Sequence, residues 1–288
     1  MQALGINLPA TGNPAIPIVR ADSLINAGTL LLIDPTHQAN PWPAGVPANG
    51  AQLPNIAWQE ARVLCGGGDA LSLGVTFDNF AQAADAKVER TAKGGLHVIC
   101  SQVNSPNANR GAALRASNQI RDYIFNNRAH RFAVAQIKRR TRLALTTDGQ
   151  APRAMTIGHK TEQYLFMALF DTNSPNGNQQ TDSRASAGGN GLGNQISDVD
   201  ATGFNADPAS AADVLVAPML WGAYGPGANY WANKGASDVF YLSLLEDLTV
   251  SGLSYAQFDA KVLARYGQLV VGAGRYASDT FTNPTSFP

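Results

Sequence analysis

Residues 70–80 read ALSLGVTFDNF, with Leu71, Leu73, Val75 and Phe77 at every second position. A period of two sets these side chains on one face of an extended chain, so the stretch predicts a half-buried β-strand. The same kind of signal continues on both sides. Thr29–Ile33 is a short apolar run closed by Asp34-Pro35, and Gly95–Ser101 (GLHVICS) is another short strand candidate. In Arg131–Arg142, Phe132 and Val134 alternate with the small Ala133 and Ala135 before the basic run KRRTR. Ala154–His159, Tyr164–Phe170, Val214–Tyr224 and Val239–Leu248 are rich in β-branched or aromatic residues and are bounded by turn formers. About eight short strands with few helices predict a mainly β sandwich.

Two helices are expected. Ala113, Leu114, Ile120 and Ile124 fit one face of a short internal helix within Gly111–Asn127, with Asn126-Asn127 as its stop. Ser254-Tyr255-Ala256-Gln257 has the form of a capping box, and Phe258, Val262 and Tyr266 follow at helical spacing, predicting a C-terminal helix over 254–270. His37–Leu53, rich in Pro, Asn and Gly, reads as a surface loop.

Composition narrows the function classes. The 21 basic and 21 acidic side chains cancel, which argues against a general electrostatic grip on nucleic acid or an anionic membrane. The acids are 17 Asp and 4 Glu and the bases 15 Arg and 6 Lys, so the usual exposed helix fillers are scarce and a helix bundle is excluded. No apolar run approaches the roughly 20 residues of a membrane span, so no membrane insertion is expected. No Lys or Arg precedes Arg20 and no compact apolar segment follows it, which points to synthesis in the cytoplasm. There Cys65 and Cys100 would stay reduced, as buried small hydrophobes.

Three regions follow. Residues 1–24 form an extended arm, with Leu4, Ile6, Leu8, Ile16, Ile18 and Val19 broken up by Pro9, Pro14 and Pro17. Such an arm orders by docking on a neighbour, so Leu4, Ile6, Ile16 and Ile18 are contact candidates. Residues 25–288 form the sandwich domain. Within it, Asp171–Asp213 is a long polar insertion with six acids, Asp182 and Asp207 among them, against Arg184 alone. It is expected to be an irregular surface loop making polar contacts with another chain or a glycan. The stretch Arg110–Arg142 is its opposite, with nine basic residues, including Arg139, Arg140 and Arg142, against Asp122. The default reading of these charges is two solvated faces; among functional readings, intersubunit complementarity stands ahead of nucleic-acid binding, for which only Tyr123, Phe125 and Phe132 could stack.

Motifs for chemistry are sparse. Asp198-Val-Asp200-Ala-Thr202-Gly203 reproduces the opening of a calcium loop, but Ala209 occupies the place of the closing Glu. Asp198, Asp200 and Thr202 are therefore a weak calcium candidate, and no other cofactor is expected. The histidines 37, 97, 130 and 159 are dispersed, G-x-S-x-G is absent, and Gly188–Gly193 lacks the Lys of a phosphate loop. Glu246 and Asp247 are adjacent, so on a strand they point to opposite faces and cannot share a glycosidase site.

Longer strings carry a resemblance. D-L-T-V-S-G-x-x-Y runs over Asp247–Tyr255, and G-R-x-x-x-D-T-F-T-x-P over Gly274–Pro284. With them go Gly28–Pro35 (GTLLLIDP), Leu53–Trp58 (LPNIAW), Glu89–Thr91, Lys93–His97 (KGGLH) and Lys138–Arg142. On these residues, from about 27 onward, the chain resembles bacteriophage virion proteins of the tail and tail-fibre type. It departs at Ala273, where the group often has Gly. The resemblance implies a concanavalin A-like, laminin-G-like jelly roll. It also implies a non-enzymatic structural role in the virion tail (tip, baseplate or fibre), in assembly or host-surface attachment. The implied partners are further copies of the chain, other virion proteins and a host-surface glycan. A carbohydrate-active enzyme or lectin on the same sandwich and a capsid decoration protein remain the alternatives.

Overall fold

The computed structural model describes residues 22–103, 110–142, 153–160, 165–170, 180–184, 192–199, 208–222, 224 and 235–288. Its strands form three antiparallel sheets. The largest runs in the order β10 (Gln180–Arg184), β11 (Leu192–Val199), β7 (Phe132–Arg142), β14 (Ser237–Asp247), β5 (Leu96–Cys100) and β4 (Ala86–Arg90), with β1 (Thr29–Ile33) also paired to β14. β7 lies along the whole of β14, while β5 pairs with Asp238–Phe240 and β1 with Ser243–Glu246. A second sheet is β13 (Met219–Trp221), β6 (Ala112–Ala116), β3 (Val75–Asn79) and β2 (Ala51–Leu53); a third is β12 (Val214–Ala217), β8 (Arg153–His159) and β9 (Leu165–Phe170). Four helices accompany them: α1 (Trp58–Cys65), α2 (Asn118–Asn126), α3 (Leu248–Ser251) and α4 (Tyr255–Val270). The fold is mainly β, as the strand pattern predicts.

The large sheet is covered on both faces. Phe132 and Val134 of β7 join Phe77, Leu114, Ile120, Met155, Trp221 and Phe240 in a core shared with the two smaller sheets and α2. The intervening Ala133, Ala135 and Ile137 face the other way, against Phe258, Val262 and Leu269 of α4. Every residue of β14 is buried, as in a strand with no wet side. A sheet between two layers needs apolar residues at odd and even positions alike, which is why Val239–Leu242 and Leu244-Leu245 show no alternation.

α4 starts as its sequence predicts. Ser254 Oγ accepts from the Gln257 amide at 3.3 Å, and Gln257 Oε1 accepts from the Ser254 amide at 2.8 Å, closing the capping box. Other expectations are corrected. Residues 112–116 are a strand, and the internal helix begins only at Asn118, where Ser117 caps it through the Ile120 amide. The loop 37–53 ends in β2 and buries Trp42, which stacks on Phe240 at 6.1 Å. Pro218, with no amide to donate, separates β12 from β13. The insertion 171–213 is not an irregular loop throughout, since β10 and β11 form a hairpin whose second strand pairs with β7 from Phe132 to Arg139.

Candidate functional site

A cavity of about 390 Å³ opens where β6, the first turn of α2 and β12 meet. Its walls bring together Phe80, Arg115, Asn118, Arg121, Lys160 and Tyr224. Each is held from behind. Arg115 projects from β6 and donates from Nε and Nη2 to the buried Asp78 at 2.6 and 3.2 Å, a two-point grip that fixes the guanidinium plane. The same carboxylate accepts from the Tyr224 hydroxyl at 2.6 Å. Burial, with Asp78 beside it, pushes the Tyr224 hydroxyl well above its usual range, so it remains a donor. Asp78 likewise raises Arg115, which stays charged.

Phe80, the residue after β3, stacks on Tyr224 with ring centroids 6.0 Å apart and planes 4° from parallel. Its outer face stays open, at 47% exposure. Arg121 donates to Asp122 and Asn118, and Lys160 Nζ donates to the Ala212 carbonyl at 2.8 Å. Among the described residues the wall thus holds three cations and no carboxylate, since Asp78 and Asp122 lie outside it. Asp213 also lies near Lys160, with its carboxyl lowered first by the Ser210 hydroxyl and further by that charge.

The basic run expected to make an exposed contact face is partly turned inward. Lys138 and Arg140 are each 2% exposed, with Nζ and Nε on the buried Asp238 of β14 at 3.3 and 2.8 Å. Arg140 is therefore corrected from surface contact to interior ion pair, because a buried guanidinium needs a buried anion. Arg139 lies over the Phe281 ring and donates to the Asp279 carbonyl, while Arg142 donates to the carbonyls of Cys100, Pro284 and Phe287. Both tie β7 to the segment that follows α4. The basic and acidic stretches also meet inside one chain, through the pairing of β11 with β7.

Asp182 lies in β10 opposite Ile196. Asp198 lies in β11, paired with Gln180 on one side and Ala133 on the other. Asp200, Thr202, Asp207 and the arm residues Leu4, Ile6, Ile16 and Ile18 fall outside the described residues. Among the described residues no group of three or more His, Cys, Asp or Glu is placed to hold a metal.

The residues that carry the resemblance do structural work. Asp34 accepts from Arg275 and from the Tyr276 hydroxyl, the latter at 3.1 Å. Asp279 accepts from the amides of Lys93 and Thr280 and from the Tyr241 hydroxyl at 2.8, 2.9 and 3.0 Å. Glu89 binds Thr282 and His97; burial alone would raise its carboxyl, but these bonds and one from Lys87 hold it at about 2. Glu246 and Asp247 do point apart: Glu246 meets Asn26 and Lys261, whereas Asp247 meets Tyr123 and His130. Cys100 is buried and Cys65 half-buried, and neither is in a disulfide.

Sequence reasoning missed the cavity. Phe80, Arg115, Lys160 and Tyr224 are far apart in sequence, and the one local hint is an aromatic set among polar residues in FDNFAQA. No protein-family model, no curated protein and no solved structure matches the chain.

Proposed function

We propose that the chain is a non-enzymatic structural protein of a bacteriophage tail, at its tip, baseplate or fibres. It is assembled in the host cytoplasm and serves particle assembly and attachment to the host surface. In this reading the sheets form a jelly-roll sandwich of the concanavalin A type, with the seven-stranded sheet as one layer and the two smaller sheets as the other. Its neighbours are other copies of itself and other virion proteins, reached in part through the arm 1–24, and its ligand is a host-surface glycan.

One observation carries the reading. The acids and bases of the strings that resemble tail proteins, Asp34, Glu89, Asp247, Arg275 and Asp279, pair with one another or with backbone, hydroxyl and imidazole groups of distant segments. Such bonding suits a module whose task is to keep its shape under load. An antibody to the chain, applied to purified particles in the electron microscope, tests the placement: label at the tail is expected, and label spread over the capsid would overturn it. Incubating the protein with cell-surface polysaccharide tests the absence of turnover, and release of shorter sugars would move the assignment to a carbohydrate-active enzyme.

A further inference from the structure

We propose that the cavity between β6, α2 and β12 binds a sugar unit bearing a carboxylate, with Phe80 as the platform for the ring and Arg115, Arg121 and Lys160 as donors to the acid. The proposal deepens the attachment reading and rests on it for the source of the sugar, whereas the chemistry of the site stands on the cavity alone. At about 390 Å³ the space falls within the range of concave small-ligand sites, about 300–1,000 Å³, and holds one or two sugar rings rather than a folded partner.

The lining selects the ligand. Phe80 presents one open aromatic face, its other face being covered by Tyr224, and the C–H face of a pyranose buries apolar surface against such a ring. Arg115, Arg121 and Lys160 each keep N–H groups beyond those they already use, and among the described residues no wall residue is an acid. A wall rich in donors and poor in acceptors favours a ligand rich in acceptors, and a carboxylate fits a guanidinium in the two-point geometry that Asp78 already shows on Arg115. Preorganisation helps, because Asp78 fixes both Arg115 and Tyr224 before any ligand arrives. A nucleic acid strand fits less well: the chain has no net charge, and the cavity offers one stacking surface rather than a track of them.

The test is titration calorimetry of the full chain with a galacturonic acid trisaccharide. The neutral galactose trisaccharide of the same linkage and inorganic phosphate serve as comparison probes. Millimolar or tighter binding of the acidic trisaccharide is expected, with the neutral sugar at least tenfold weaker. Phe80→Ala and Arg121→Gln should each weaken the acidic sugar by about tenfold, the size of one lost stacking or charge-assisted contact. Thermal unfolding of both variants checks that they fold. No binding, equal binding of the two sugars, or binding untouched by both variants would overturn the proposal. Phosphate binding as tight as the acidic sugar would show an anion site without sugar recognition and overturn it too. Binding as expected, in a protein that labels the capsid, would uphold the site while refuting the tail placement.

Discussion

Asp279→Ala is the sharpest probe of how the segment after α4 is held. The carboxylate is 4% exposed and accepts three bonds, from the Lys93 amide at 2.8 Å, the Thr280 amide at 2.9 Å and the Tyr241 hydroxyl at 3.0 Å. Alanine removes all three acceptor contacts. The two amides lie nearer the surface, where water can replace the carboxylate, so each loses about 1 kcal/mol. Tyr241 differs, being 0% exposed and stacked on Tyr276 at 4.1 Å. Burial, with Asp279 beside it, keeps its hydroxyl protonated, and stranding that donor costs a further 1–3 kcal/mol or so. The expected total is about 4 kcal/mol. Tyr241→Phe alone removes one bond and should cost about 1–2 kcal/mol. The double variant has no stranded hydroxyl, so it should be scarcely less stable than Asp279→Ala, with a coupling of about 1–2 kcal/mol in the cycle. Urea unfolding followed by fluorescence of the buried Trp42 and Trp221 measures all four proteins. A loss below about 1 kcal/mol for Asp279→Ala, or strict additivity in the cycle, would refute the lock.

Acid should weaken the fold through two carboxylates. Glu89 is held at about 2 against an ordinary 4.5, and Asp22 at about 2 against 3.8, in both cases because hydrogen bonds outweigh burial. Folded values below unfolded ones mean that the stabilisation is complete above about pH 4.5 and is lost as pH falls towards 2, by about 2 kcal/mol after allowing for solvent screening. Urea midpoints at pH 5 and pH 2.5 measure it, and Glu89→Gln should flatten the difference; a midpoint insensitive to pH contradicts the account. Gly28→Ala sets a methyl 2.2 Å from the Asp247 carbonyl oxygen and should cost more than about 2 kcal/mol, whereas Gly50→Ala, strained only by its φ of 82°, should cost about 1. Thermal unfolding of the two variants side by side checks the order.

Much of the β framework was legible because short apolar runs mark strands whatever they pair with, as Thr29–Ile33 does; of the period-two stretch 70–80, however, only Val75–Asn79 is a strand, and Leu71 lies exposed in the turn before it. The capping box of α4 was equally plain. Elements made by tertiary context were not. β10 and β11 are polar and become strands by pairing with each other and with β7, an effect outside any local window. α1 buries only Ala61 fully, so no apolar stripe announces it. The charges of Lys138 and Arg140 suggested a surface, because the acid that brings them inside, Asp238, lies 98 residues beyond Arg140. The cavity was hidden for the same reason: separate elements supply its walls, and only folding brings them together.

The central position of β14 governs the order in which the molecule can be made. β7, β5 and β1 all wait for it, and Thr29 finds its partner only at Glu246. While the ribosome is still short of residue 237, the middle of the large sheet is missing and three strands have open edges. Pairings this distant are slow to close, and exposed edges invite the wrong neighbour. The nascent chain must therefore be kept apart from its fellows until β14 emerges, and folding of the large sheet falls late in synthesis rather than proceeding strand by strand.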